Sequence, residues 1–82
     1  MNLVFVCTGN TCRSVMAEYY FNKRAADLRL NAHARSCGVA TSKFFQVPDI
    51  VKNLLSAENA YGYEHAPSHP DREILAAADA VL

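Results

Sequence analysis

Residues 2–14 read Asn-Leu-Val-Phe-Val-Cys-Thr-Gly-Asn-Thr-Cys-Arg-Ser, and the change of pattern inside this stretch decides the fold. Asn2 to Val6 is an almost unbroken β-branched and aromatic run, as expected of a short strand buried on both faces in a parallel sheet. Gly9 and Asn10 then punctuate the chain. From Arg13 the pattern turns helical: Ala17, Tyr20, Phe21, Arg24, Ala25 and Leu28 recur at steps of three and four, and Asn31 is a stop signal. No Gly or Pro interrupts that segment.

Working outward, Ala32 to Val39 reads as a second, weaker strand closed by Gly38, and residues 40–47 read as a loop. Pro48 suits the first turn of a helix whose apolar face holds Ile50, Val51, Leu54 and Leu55. Residues 57–67 are polar, aromatic and irregular. Ser68 or His69, then Pro70, Asp71 and Glu73, marks a further short helix with acidic residues in its first turn. Ala78 to Leu82 closes the pattern as a third strand. The order β-α-β-α-α-β predicts a small, Rossmann-like, three-layer α/β fold with a short parallel sheet and right-handed crossovers. Ligands of such sheets bind outside the carboxyl ends of the strands, which is where residues 7–14 fall.

Eighty-two residues suffice for one small domain over residues 1–82. Half of them (51%) are apolar and 20% charged, a globular composition. Eight basic and eight acidic side chains cancel, so no general nucleic-acid or membrane surface is expected and an anion site must be local. No leader or membrane-length apolar run is visible, and a cytoplasmic protein is the expectation. Three cysteines, at 7, 12 and 37, argue against a disulfide framework. No second Cys/His pair follows at zinc spacing, and neither a metal nor a cofactor is expected.

The spacing of Cys7 and Arg13 is not distinctive alone; the residues between them give it meaning. A phosphate group needs several converging donors, and successive backbone N–H groups of a tight loop supply them. Gly9 is expected to provide the backbone angles of that nest. Thr8, Asn10, Thr11 and Cys12 complete its wall. The helix starting near Arg13 aims its free N–H groups at the same point, and Arg13 adds a planar fork for two oxygens. The same field favours the thiolate of Cys7, a nucleophile for phosphoryl transfer. Ser14 is placed to donate a hydrogen bond to that sulfur. Taken singly, Cys7 reads equally as a buried strand-end cysteine and Arg13 as a solvated helix residue.

Val-Cys-Thr-Gly-Asn-Thr-Cys-Arg-Ser-Val-Met-Ala-Glu, residues 6–18, resembles the N-terminal signature of the low-molecular-weight protein tyrosine phosphatases. Within that family it is most similar to the bacterial protein arginine phosphatases. Val15 stands where the family usually has Pro. Arg35-Ser36-Cys37-Gly38 resembles the family's Ser-Ala-Gly after its second strand, and residues 65–82 resemble the segment leading into its third. The resemblance implies that Cys7 is the nucleophile, Arg13 the phosphate clamp and Ser14 the support of the thiolate. Asn10, Ser36 and His65 would form a hydrogen-bond network beneath the loop. Alone, Ser36 reads as a turn serine and His65 as a loop histidine. Cys12 looks like the family's second loop cysteine, open to a reversible disulfide with Cys7 or to simple packing. A Thr at position 11 accompanies phosphoarginine hydrolysis in the resembling subfamilies, where a bulky aliphatic residue accompanies phosphotyrosine.

The resemblance also implies a general acid in an Asp-Pro segment beyond the third strand. These 82 residues contain no Asp-Pro, and Asp49, Asp71 and Asp79 do not match it. Asp71 reads as a helix cap and Asp79 as structural. Lacking that acid would cost about 10²–10⁴-fold in rate, so the expectation is a minimal or truncated phosphatase of weak activity. It would act through a cysteinyl phosphate on phosphotyrosine or phosphoarginine, with phosphorylated proteins, small phosphoesters and inorganic phosphate as partners. Two alternatives stay open: a non-catalytic phosphate- or phosphoprotein-binding module, and a thiol redox enzyme of the arsenate-reductase type. The third strand is expected to leave an open sheet edge, through which a homodimer would form.

Overall fold

In the computed structural model, which describes residues 1–42, 45–63 and 65–82, the chain forms β1 (Asn2–Cys7), α1 (Arg13–Asp27), β2 (His33–Gly38), α2 (Asp49–Ala57), α3 (Arg72–Ala76) and β3 (Ala80–Val81). The strands make one parallel sheet in the order β2-β1-β3. Asn2 pairs with His33 and Cys7 with Gly38, while Leu3 pairs with Ala80. This is the small α/β architecture read from the sequence. Part of the 40–47 loop, residues 43 and 44, lies outside the described residues, as does residue 64.

Side-chain alternation sets the two faces of the sheet. Phe5 meets Phe21 of α1 edge-on at 6.3 Å, so the odd positions of β1 face that helix. Val4, pointing the other way, is only 2% exposed. The core lies between α1 and α2: Val15 and Tyr19 pack against Val47, Val51, Leu55 and Ala60.

Two expectations about the helices are corrected. On α2, Val51 and Leu55 are buried, but Ile50 and Leu54 are exposed at 68% and 55%. On α1, Tyr20 and Leu28 are exposed, and the buried positions are Ser14, Val15, Glu18, Tyr19 and Ala25. The periodicity of α1 is real, but its inward face is offset toward polar residues. Ser14, Glu18 and Asn22 stand one turn apart along the helix: Glu18 and Asn22 bond Ser36 and Ala34 of β2, and Ser14 bonds Asn10 and Cys7 where β1 ends.

The end of α1 also differs from expectation. The helix stops at Asp27 and not at Asn31. Arg29 takes the left-handed conformation at φ 54°, and Leu30 N–H and Arg29 N–H donate to Ala25 O and Ala26 O at 2.8 and 3.1 Å. That is a Schellman closure built on a residue that ordinarily avoids the left-handed region. Asn59 at φ 57° closes α2 in the same way. Asp71 caps α3, accepting from Glu73 N–H at 2.7 Å.

The outer edge of β2 is blunted. Asn22 Oδ1 accepts from Ala34 N–H at 2.8 Å and its Nδ2 donates to Ala34 O at 3.0 Å, imitating a paired strand. Further along, Gly38 N–H donates to Ser68 O at 2.8 Å. On the opposite side β3, Ala80–Val81, is shorter than the 78–82 expected, and beside it the Asp79 carboxylate accepts from Asn2 N–H at 2.6 Å. Replacing Asn22 by Ala strands both polar groups of the fully buried Ala34. The expected loss is about 1–3 kcal/mol, read as a lowered urea midpoint in denaturation.

Candidate active site

Residues 8–12 connect the end of β1 to the start of α1, and their backbone is turned so that the carbonyls face outward. Cys7 O and Thr8 O accept from Val39 N–H and Ala40 N–H, each at 2.9 Å. Gly9 O accepts from Thr41 Oγ1 at 2.5 Å, and Asn10 O lies 3.1 Å from His65 Nε2. The turn requires one left-handed residue, and it is Asn10 at φ 56°; no glycine has positive φ. The sequence expectation that Gly9 supplies this angle is therefore corrected. Asn is tolerated there because its short polar side chain bonds locally.

Gly38 is the glycine that the loop needs, and sequence reading took it only as the end of a strand. A Cβ at this position would sit 2.7 Å from Thr8 O and 2.8 Å from Asn10 N. The bare backbone of β2 therefore lets the loop settle directly on the sheet. At Gly9 a Cβ would meet only ordinary contacts, Thr11 Oγ1 at 3.6 Å and the Phe45 ring at 3.8 Å.

Asn10 is fully buried and every polar atom of its amide is used. Its Oδ1 accepts from Ser68 N–H at 2.9 Å, and a backbone N–H can only donate. That fixes the amide's orientation, so Nδ2 must donate to Ser14 Oγ at 2.9 Å and to Ser36 Oγ at 2.8 Å. With its oxygen already accepting, the Ser14 hydroxyl sends its hydrogen to Cys7 Sγ, 2.9 Å away. By the same reasoning Ser36 donates to Glu18 Oε1 at 2.7 Å. His65 Nε2 lies 3.0 Å from Asn10 Oδ1 as well as near Asn10 O; both are acceptors, so this nitrogen carries the hydrogen.

The sulfur thus ends a chain of directed hydrogen bonds. Partial burial pushes the Cys7 thiol up. The Ser14 hydroxyl and the backbone N–H groups of Ser14, Asn10 and Gly9 outweigh it, and the net shift is downward. Asn10 N–H lies 3.2 Å from Sγ. Cys37 is shifted up, first by burial and then by the nearby Cys7 charge. The first turn of α1 holds no acidic residue and its N-cap, Cys12, makes no side-chain cap, so its N–H groups face the loop uncapped.

Cys7, Thr8, Arg13 and Ser14 line one open cleft of about 450 Å³, with Phe5, Val6, Ala17, Val39 and Leu82 as its apolar walls. Among the described residues no Asp or Glu lines it. Arg13 makes no ion pair or hydrogen bond with any described residue. Thr11 is half-buried, Thr8 and Cys12 are exposed, and all three cysteines are free thiols. Ser36 and His65, distant in sequence, are brought to Asn10. Glu18 and Tyr63, which sequence reading missed, extend the network: the Tyr63 hydroxyl donates to Glu18 Oε2. Among the described residues no cluster of His, Cys, Asp or Glu could hold a metal ion, and no helix is long and apolar enough to cross a membrane.

The chain matches the family model of the low molecular weight phosphotyrosine protein phosphatases over residues 2–82. It is 41% identical over 83 residues to a protein-arginine-phosphatase of Bacillus subtilis, covering all of this chain and 54% of that relative. A low molecular weight protein tyrosine phosphatase from T. tengcongensis superposes at TM-score 0.88 and 39% identity, covering 100% of this chain and 56% of that one. YwlE arginine phosphatase, solved as a cysteine-to-serine mutant with a phosphorylated active-site serine, superposes at TM-score 0.88 and 36% identity, covering 99% and 53%. The chain thus spans about half the length of these relatives. From the geometry alone, iodoacetamide should alkylate Cys7 with a midpoint below the ordinary thiol range of about 8.5, while Cys37 stays unreacted. Peptide-resolved mass spectrometry across pH checks both.

Proposed function

The chain belongs to the low molecular weight phosphotyrosine protein phosphatase family, and on that premise we propose that it removes phosphoryl groups from phosphorylated proteins through a cysteinyl phosphate on Cys7. One observation carries the reading: the Cys7 sulfur receives the Ser14 hydroxyl at 2.9 Å and the Asn10 N–H at 3.2 Å, beneath an uncapped helix N-terminus.

In the first step the thiolate attacks phosphorus in line. The S–P bond forms as the bond to the substrate's oxygen or nitrogen breaks, and the leaving group takes a proton from a solvent water of the open cleft. Arg13, which lines the cleft and has no side-chain partner among the described residues, holds two peripheral oxygens, and the loop and α1 N–H groups take the developing charge. In the second step water attacks phosphorus and the S–P bond breaks. The electron pair returns to sulfur, where the Ser14 hydroxyl stabilises it.

Phosphoarginine and phosphotyrosine are the two substrate classes, after the named activities of the relatives. The Thr at position 11, half-buried beside Gly9, supports phosphoarginine through the loop's resemblance to the arginine phosphatases. The same donors around the Cys7 sulfur would also serve a second reading, capture of phosphoryl groups without turnover. A thiol relay is disfavoured, since Cys37 is fully buried.

Hydrolysis of p-nitrophenyl phosphate, which needs little protonation, tests the proposal. Wild type should turn it over, Cys7→Ser should not, and Arg13→Ala should lose about 10²–10³ in kcat/KM. The rate should hold above the Cys7 pKa and fall as pH drops through it, since only the thiolate attacks. Phosphate binding by a wild type that shows no turnover would leave the capture reading. The β3 edge is proposed to accept a second copy of the chain; sedimentation that is independent of concentration would rule that out.

A further inference from the structure

The Oδ1 side of the Asn10 amide is held by the segment that brings Ser68 and His65 to it. That segment is fastened to α1 at a residue that the proposed chemistry does not use. The Tyr63 hydroxyl donates to Glu18 and accepts from Asn22 Nδ2 at 3.1 Å. The direction is forced: Ala34 N–H occupies Asn22 Oδ1, so the Asn22 amide must present its N–H to Tyr63, and the tyrosine proton goes to the carboxylate. Tyr63 O accepts from Tyr19 Oη at 2.7 Å, and the two rings lie 4.1 Å apart at 31°. Burial and then Glu18 hold the phenol above its ordinary pKa, so the hydroxyl keeps its proton.

Glu18 therefore receives two hydroxyl groups from opposite directions. Ser36 reaches it from β2 at 2.7 Å and Tyr63 from the segment that continues to His65 and Ser68. Both routes lead to Asn10, one through Nδ2 and the other through Oδ1. The network is thus a closed ring with Asn10 at one pole and Glu18 at the other, and Tyr63 is its link to the distal segment.

Resting on the reading of Cys7 as nucleophile, we propose that Tyr63 is a positioning residue: it latches the segment carrying His65 and Ser68 onto α1, and so holds the Asn10 amide that aims the Ser14 hydroxyl at the Cys7 sulfur. Releasing the latch leaves Ser14 free to rotate and weakens the support of the thiolate.

The test is the pH dependence of Cys7 alkylation, resolved by peptide mass, in wild type and in Tyr63→Phe, Tyr19→Phe and Tyr20→Phe. These substitutions leave the charged and titratable groups around the sulfur unchanged: Cys12 and Arg13 at the start of α1, Cys37 on β2, Glu18, and His65. A shift therefore reports on hydrogen bonding. Tyr63→Phe should move the midpoint up by about half a unit, which is about threefold slower alkylation on the acid side, since each unit is tenfold. Its Ser68 amide should also exchange faster with deuterium. Tyr20, which is 48% exposed and outside the ring, should change neither. A folded Tyr63→Phe with the wild-type midpoint and wild-type Ser68 exchange overturns the proposal. Should Tyr63→Phe fail to fold, Tyr19→Phe, which removes another tie of that segment to α1, carries the test with the same expected sign and the same overturning result. An ordinary thiol midpoint in wild-type Cys7 overturns the nucleophile reading, and this proposal with it.

Discussion

Everything at the end of the sheet depends on the orientation of one buried amide. Asn10 is fixed by a donor that cannot be reversed, the Ser68 backbone N–H, and that choice propagates to Ser14, to the Cys7 sulfur and through Ser36 to Glu18. A buried amide with any arm left empty would be costly, on the order of 1–3 kcal/mol, so full occupancy makes the loop rigid before any ligand arrives. Such preorganisation is what an anion site requires, because donors already in place need not be reorganised as charge develops. The left-handed Asn10 and the bare Gly38 are the backbone conditions that make it fit.

The same arrangement shapes the packing. A domain of 82 residues has little interior to spare, yet the stripe of α1 that faces the sheet and the loop above it is polar: Ser14, Glu18 and Asn22. The apolar burial is displaced to one side, where Val15 and Tyr19 meet α2. Tyr19 joins the two regions, with its ring in the core and its hydroxyl on Tyr63 O. Stability and site geometry therefore share a helix but use different faces of it.

The strand, the tight loop and the helix after it were legible in residues 2–14 because their signals are local. So was the Asp71 cap. The inward face of α1 was not, because hydrophobic periodicity cannot register a polar stripe whose partners, Ser36 and Ala34, lie on another strand. The end of α1 was hidden by Arg29, whose left-handed conformation the side chain does not advertise. Gly9 drew attention as the flexible residue, while the requirement fell on Asn10 and Gly38, since a close approach between segments leaves no mark on the sequence around either. Ser36 and His65 entered through family resemblance, and the structure places both against Asn10. Glu18 and Tyr63 carried no recognisable signal, being joined across 45 residues.

The central position of β1 has a consequence for how the chain acquires its shape. The first strand made must wait for both neighbours, His33–Gly38 and then Ala80–Val81, and each parallel pairing closes a long loop. The polar groups around the cysteine come from scattered places: Ser14 from the first helix, Ser36 from the second strand and Ser68 from the segment before α3. The groups that touch the sulfur are local, but the Asn10 amide that orients them is completed only when pairing brings in residues 26 and 58 positions away. Order in the loop and order in the sheet are therefore acquired together.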